Sequence, residues 1–239
     1  MKYNKRIGII GAMASETECL QNLLWNTEAE KISDLFYFTG KVNDDTVTIV
    51  KCGVGKVNAA RCTQLLIDRY HPDMIINTGI AGGIAPELEV GDVVVGTGFV
   101  QYDFDVTAFG HVCGYLCTGE DDTKPTIFHS DEKFVNLLKS AAEEVIPAKK
   151  IRQGLIATGD RFVSDSTEKL KISELFRAVA VEMEGGAIAQ TAYYNQTPFV
   201  AVRTISDLAD GTAAESFDTF EKESAALSAA VIEKLLKQL

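Results

Sequence analysis

The sequence has few residues of the kinds that hold metals, form disulfides or bind nucleic acid. Its 239 residues include three histidines and five cysteines, with no CxxC pair and no zinc-finger spacing. Lysine and arginine number 23 against 34 aspartates and glutamates, which gives a formal net charge of −11. This excess of negative charge opposes binding to nucleic acid, to anionic membrane surfaces and to heavily phosphorylated substrates. A neutral or zwitterionic small ligand fits better.

The sequence also lacks any stretch long and apolar enough for a transmembrane helix. The first six residues include three basic ones, as in a signal peptide, but Gly8, Gly11 and Glu16 interrupt the apolar run that follows. We therefore expect a cytoplasmic protein with reduced thiols. Hydrophobic residues make up 46% of the chain, enough for one substantial core, so a single domain is expected over residues 1–239.

Short apolar runs alternate with longer segments of helical period. Strands are predicted at residues 6–12, 35–42, 46–52, 74–79, 92–100, 154–158, 178–183 and 198–205. Helices are predicted at residues 57–70 and 131–145, and a last helix opens at Ser216. A hairpin around Asn43-Asp44-Asp45 makes the sheet mixed. This order predicts an α/β fold, a three-layer α/β/α sandwich with a mixed central sheet.

Charged residues that could carry chemistry follow the predicted strands. Glu16 lies just past the first strand, Glu182 and Glu184 end a later one, and Asp207 lies four residues after Arg203. In a strand, Arg203 and Asp207 would be roughly 13 Å apart. Burial could then raise the pKa of Asp207, as a general acid requires. Structural alternatives are a helix-start acid at Glu16, salt-bridged glutamates, and Arg203 paired with Asp207 on a helix.

Two glycine-containing segments are weaker signals. The run NTGIAGG at 77–83 follows a buried type of strand, and its adjacent glycines would let backbone amides approach a ligand. A plain turn is the alternative. The run GVGK at 53–56 lacks the spacing of a phosphate-binding loop and is interpreted as a strand-to-helix turn. No dinucleotide fingerprint occurs, so we expect neither NAD nor ATP. The histidines and cysteines lack metal-binding spacing, and we expect no metal and no cofactor.

Taken together, the motifs closely resemble those of the 5'-methylthioadenosine/S-adenosylhomocysteine nucleosidases. They are GAM with Glu16, INTG, AGG, FDVTAFG at 104–110, TGD at 158–160, VEME at 181–184 and RTISD at 203–207. The resemblance implies the nucleoside phosphorylase-like fold and hydrolysis of methylthioadenosine and S-adenosylhomocysteine to adenine and a substituted ribose. It also implies that Asp207 protonates N7 of adenine, Glu16 activates the attacking water, and Glu184 holds the ribose hydroxyls.

The same resemblance implies a binding site built from several segments. Phe162 would stack on the purine, the backbone of Val163 would bind its edge, and Met183 would pack against the sugar. Ser206 would steady Asp207. The remaining expected binding residues are Ile80, Ala81, Gly82, Glu182, Arg203 and, at the apolar end, Phe217.

The resemblance further implies a homodimer with shared active sites, because the family's counterparts of Val106 and Phe109 reach into the neighbouring subunit's site. Three residues depart from the family's pattern. Ile80 stands where serine is common, Arg161 where a small residue is common, and Cys117 near where proline often meets the 5'-substituent. Cys117 would therefore affect the size of the pocket that holds the 5'-alkylthio group.

Two other functions are alternatives to nucleoside hydrolysis. A purine nucleoside phosphorylase would need cations converging on phosphate, whereas Glu16 places a negative charge after the first strand. A non-catalytic nucleoside-binding protein would have no need for Glu16, Glu184 and Asp207 together. The sequence does not rank methylthioadenosine, S-adenosylhomocysteine, 5'-deoxyadenosine and aminodeoxyfutalosine, because all four share the adenine and ribose contacts.

Overall fold

Strands and helices alternate along residues 4–118 and 121–239, the part of the chain that the computed structural model describes. The strands are β1 (Arg6–Gly11), β2 (Trp25–Ile32), β3 (Leu35–Val42), β4 (Asp45–Lys51), β5 (Met74–Gly83), β6 (Val93–Gln101), β7 (Ile127–His129), β8 (Ile151–Thr158), β9 (Ala180–Glu182) and β10 (Phe199–Asp207). The helices are α1 (Ala14–Gln21), α2 (Lys56–Tyr70), α3 (Glu132–Glu143), α4 (Ser166–Phe176), α5 (Gly185–Tyr194) and α6 (Ala213–Gln238).

The strands form one mixed sheet in the order β10-β6-β8-β9-β5-β1-β4-β3-β2, with β7 paired to β6. Strand β10 pairs with β5 as well as with β6, so β5, β10, β6, β8 and β9 close a ring. Strands β1, β4, β3 and β2 extend from β5 as an open sheet. Because β1 and β10 both run parallel to β5, their carboxyl ends lie at one edge of the sheet.

Helices cover the sheet on both sides. Helices α2 and α5 pack against each other over one apolar cluster that includes Leu66 and Ile188. Helices α1, α3 and α6 cover a second cluster, which includes Leu138 and Ile232. Several strands are buried along their whole length, as β5 and β10 are, which explains their continuous apolar runs. The predicted α/β class with a mixed central sheet is confirmed, as is the hairpin, which turns at Asn43-Asp44.

Some elements differ from the sequence prediction. Strand β2 was not predicted, because it lies at the sheet edge, is mostly exposed and has no apolar alternation. Strand β5 runs on to Gly83, four residues past its predicted end, because its last two glycines pair with β9. Helix α6 begins at Ala213 and not at Ser216, because the turn at Asp210 already closes on Thr212.

Within residues 4–118 and 121–239, no helix is both long and apolar enough to cross a membrane. All five cysteines are free, in keeping with the expectation of reduced thiols. Residues 1–3 of the basic start lie outside the described part of the chain.

Candidate active site

The carboxyl ends of β1, β5, β9 and β10 surround a cavity of about 200 Å³. The segment 161–163 and the first turns of α6 complete its wall. The lining residues are Ala12, Met13, Glu16, Val54, Ile80, Ala81, Gly82, Arg161, Phe162, Val163, Val181, Glu182, Met183, Glu184, Ser206, Asp207 and Phe217. The structure thus brings together every site residue expected from the sequence except Arg203, Val106 and Phe109.

Glu16 lies in the first turn of α1 and is buried at the edge of the cavity. Its Oε2 accepts hydrogen bonds from the backbone N–H groups of Ala12 (2.6 Å) and Met13 (3.0 Å), and its Oε1 accepts one from Ile80 (3.2 Å). Burial raises the pKa of Glu16, and the Arg203 guanidinium and these N–H groups oppose the rise. Glu16 is therefore a fixed carboxyl group with more affinity for a proton than an exposed glutamate has.

Asp207 is the last residue of β10 and is 2% exposed. Its Oδ2 accepts a hydrogen bond from the Ser206 hydroxyl (2.9 Å), and its Oδ1 accepts one from the backbone N–H of Ala209 (2.9 Å). Burial raises the pKa of Asp207, against the effect of these two donors. Arg203 pairs with Glu182 and not with Asp207, so the expected separation along the strand is confirmed.

Glu182 and Glu184 diverge, because β9 ends at Glu182 and α5 begins at Gly185. Glu182 is bound by protein groups on both carboxylate oxygens: Oε1 accepts from the Thr158 hydroxyl, and Oε2 accepts from Arg203 (2.8 Å) and from the Gly185 N–H (2.7 Å). Glu182 also lines the cavity, as expected of a binding residue, but its hydrogen bonds are those of a structural support.

The Glu184 carboxyl group accepts a single hydrogen bond from the described part of the chain. The donor is the backbone N–H of Gly55, whose nitrogen lies 2.7 Å from Oε1 of Glu184. Burial, with the negative charge of Glu182 as the next cause, raises the pKa of Glu184 to about 8. The run GVGK at 53–56 is the predicted strand-to-helix turn, and Gly55 in it has a positive φ of 97°. Sequence reasoning missed that this turn supplies a donor to the site.

Arg203 differs from its expected place among the binding residues. It is 2% exposed and lies outside the cavity lining, behind Glu182. Its guanidinium donates to the backbone oxygens of Val202 (2.9 Å) and Asn77 (3.3 Å) and to the side-chain oxygen of Asn77. Asn77 in turn donates to the carbonyl oxygen of Ile10 (2.9 Å), which ties β1, β5 and β10 together. The motif INTG contained Asn77, but nothing in the sequence showed which groups it joins.

Two glycines of β5 leave space for the carboxyl groups of Glu16 and Asp207. A Cβ atom at Gly79 would lie 2.8 Å from Oε1 of Glu16, and one at Gly82 would lie 2.9 Å from Oδ1 of Asp207. Both contacts are too close for a side chain unless the carboxyl group moves. The NTGIAGG run is therefore a strand whose glycines admit carboxyl groups, and the plain turn is not what forms there.

Val106 and Phe109 lie outside this cavity, in the segment after β6. Phe109 belongs to a 3-10 helix (Thr107–Phe109), and 82% of it is exposed. Of the three departures from the family's pattern, Ile80 and Arg161 line the cavity and Cys117 does not. Arg161 is the only cation among the described lining residues, and it forms an ion pair with Glu168, with 3.2 Å between its Nε and Oε2 of Glu168.

Comparison with known proteins gives the same family as these features do. The chain matches the model of the phosphorylase superfamily over residues 6–237. A 5'-methylthioadenosine/S-adenosylhomocysteine nucleosidase from an Exiguobacterium species is 42% identical over 98% of each chain. The solved nucleosidase of that name from Neisseria meningitidis, in complex with methylthio-immucillin-A, has a TM-score of 0.92 at 41% identity, covering 98% of this chain and 100% of its own.

A second solved structure, the 5'-methylthioadenosine/S-adenosylhomocysteine nucleosidase of Colwellia psychrerythraea in complex with adenine, has a TM-score of 0.92 at 35% identity. The match covers 99% of this chain and 96% of that one. The fold and the carboxyl groups at its sheet edge thus define a member of the phosphorylase superfamily. Within it, the chain belongs to the 5'-methylthioadenosine/S-adenosylhomocysteine nucleosidase family, as its motifs predicted.

Proposed function

We propose that this protein hydrolyses the N-glycosidic bond of 5'-methylthioadenosine and S-adenosylhomocysteine, releasing adenine and the 5-substituted ribose. The observation that carries the proposal is the convergence of Glu16, Glu184 and Asp207 on one buried cavity. Residues 1–239 act as a single nucleosidase domain in this proposal. The protein acts in the cytoplasm in this proposal. Its metabolic role is methionine salvage and the recycling of S-adenosylmethionine by-products.

The proposed mechanism divides the reaction among three carboxyl groups. Breaking an N-glycosidic bond passes through a cationic, oxocarbenium-like sugar, so the leaving base must be protonated and a nucleophile must attack the sugar. Asp207, whose pKa is raised by burial, gives a proton to N7 of adenine. Glu184 holds the ribose hydroxyls, since a carboxyl group can bond two neighbouring hydroxyls. Glu16 takes a proton from the attacking water.

The charges around the cavity favour water over phosphate as the nucleophile. A phosphorylase needs arginines or lysines that converge on the phosphate oxygens. Among the described residues, the lining contains Glu16, Glu182, Glu184 and Asp207, and a single cation, Arg161, which forms an ion pair with Glu168. A phosphate dianion would therefore meet no converging cations, and the Glu16 carboxylate that serves as the base would repel it.

The test of this function is adenine release in phosphate-free buffer with a chelator present. We expect methylthioadenosine and S-adenosylhomocysteine to be hydrolysed, with no added phosphate or metal required. The same assay of 5'-deoxyadenosine and aminodeoxyfutalosine ranks the four nucleosides. Consumption of phosphate with formation of a ribose-1-phosphate analogue would replace hydrolysis by phosphorolysis, and tight binding without turnover would support a non-catalytic nucleoside-binding protein.

The proposed active unit is a homodimer in which Val106 and Phe109 complete the partner's pocket. Support comes from the exposure of Phe109, an apolar side chain that has 82% of its surface uncovered in the single chain. We expect Phe109→Ala to raise KM for methylthioadenosine more than for adenosine, because an apolar wall is lost at the 5' end alone. Steady-state kinetics on both nucleosides measures this, with the oligomeric state checked by sedimentation. A fully active monomer would rule out the shared site.

A further inference from the structure

Helix α4 begins just after the segment 161–163 and contacts the turn that follows Asp207. Asp165 caps the helix by accepting hydrogen bonds from the N–H groups of Thr167 (3.0 Å) and Glu168 (2.9 Å). One residue further, the half-buried Lys169 extends across to this turn, and its ammonium group donates a 2.7 Å hydrogen bond to the carbonyl oxygen of Leu208. Leu208 is the neighbour of Asp207 in the chain.

The shape of this turn decides where the carboxyl group of Asp207 lies. Ala209, whose N–H binds Oδ1 of Asp207 at 2.9 Å, has a positive φ of 49° and is fully buried. A residue with a Cβ atom adopts this left-handed conformation only where its surroundings hold it there. The bond from Lys169 to Leu208 fixes the peptide group directly before Ala209.

We propose that Lys169 is a positioning residue for Asp207: its ammonium group holds the 208–209 turn and places a positive charge beside the carboxyl group. The inference rests on the proposed function, in which Asp207 is the general acid. Lys169 is not part of the cavity lining, so it acts through Asp207 without touching the substrate.

The charges around Asp207 determine how the removal of Lys169 would change the pH profile of the enzyme. Burial is the largest cause of the raised pKa of Asp207, Asp210 in the same turn raises it further, and Lys169 from α4 lowers it. Its other neighbours, Ser206 and Ala209, are neutral donors that lower it. A cation stabilises the carboxylate, so loss of Lys169 raises the pKa of Asp207. The protonated acid then persists to higher pH.

The experiment compares wild type, Lys169→Met and Lys169→Arg on methylthioadenosine across pH. We expect Lys169→Met to lower kcat/KM by about 10- to 100-fold, as small misplacements of a catalytic group do. The fall of kcat/KM at alkaline pH should move to higher pH in Lys169→Met. Lys169→Arg should restore both the rate and the pH profile, because arginine keeps the donor and the charge. The matched control is Lys171→Met, an exposed lysine on the same helix, whose rate and pH profile should equal those of wild type.

Several results would overturn the inference. An unchanged rate and pH profile in Lys169→Met, with wild type active, rejects it and leaves the proposed function standing. A lower rate and lower Tm with the alkaline limb unmoved shows a merely structural lysine and also rejects it. If the methionine variant does not fold, Lys169→Gln removes the same charge and must show the same shift in the limb. A wild-type protein that releases no adenine overturns the proposed function, and this inference with it.

Discussion

Asp207→Asn is expected to abolish nearly all turnover of every adenine nucleoside, with kcat lower by ~10²–10⁴-fold. An amide has no acidic proton to give to N7, whereas asparagine is almost the same size as aspartate. The two neighbours of Asp207 can both be kept, because the Ser206 hydroxyl can accept from the new NH₂ group while the amide oxygen accepts from Ala209. Steady-state kinetics on methylthioadenosine and 5'-deoxyadenosine measures the loss, and Tm checks the fold.

The matched control for this change is Asp44→Asn, at the exposed tip of the β3–β4 hairpin. It makes the same chemical substitution far from the cavity, so its kcat should equal that of wild type. The residual activity of Asp207→Asn should also lose the alkaline limb, since the group whose deprotonation ends activity at high pH is gone. A near wild-type kcat would remove Asp207 from the mechanism.

Much of the active site could be predicted from the sequence because its residues follow strand ends. Glu16, Glu184 and Asp207 each come after an apolar run. Because β1 and β10 run parallel to β5, Glu16 and Asp207 lie at one edge of the sheet, and Glu184 follows β9, which pairs antiparallel with the last two glycines of β5. The spacing of Arg203 and Asp207 was also informative, because only a strand keeps them apart. These features depend on local periodicity, which a single sequence contains.

The parts that could not be predicted depend on long-range pairing. Closure of the ring through the β10–β5 and β10–β6 pairs leaves no local pattern in the sequence, because both faces of β10 are buried. The sequence also could not show that Asn77, which lies 126 positions away, would hold Arg203, or that Lys169 would bind the carbonyl oxygen of Leu208. Long-range hydrogen bonds to backbone groups carry almost no signature in residue type.

Glu16 shows that a structural and a chemical role can belong to one side chain. The carboxyl group accepts a hydrogen bond from the backbone N–H of Met13 at the start of α1, which is the structural role that an acid at a helix start has. The same group is buried, lines the cavity and has a raised pKa. The helix cap fixes the carboxyl group in place, and its burial gives it the basicity that water activation requires.

Glu16→Gln is the second change with a large expected effect, a fall in kcat of ~10²–10⁴-fold with substrate still bound. Glutamine cannot take a proton from water, and it cannot satisfy all three backbone donors that Glu16 accepts from. If its oxygen faces Ala12 and Met13, its NH₂ group meets the N–H of Ile80, two donors that repel. We therefore expect adenine recognition through Asp207 to persist and some strain to arise at Ile80.

Binding and single-turnover measurements separate these effects. Calorimetry of Glu16→Gln with methylthioadenosine should show a stable complex, and mixing excess enzyme with substrate should show slow adenine release. Glu18→Gln, an exposed change on the same helix, should bind and turn over like wild type. Glu16→Gln and Asp207→Asn thus fail at different steps, because one leaves the water inactive and the other leaves the base unprotonated. If both variants kept full turnover, the acid and base assignments would be wrong, and the buried carboxyl groups would need another explanation.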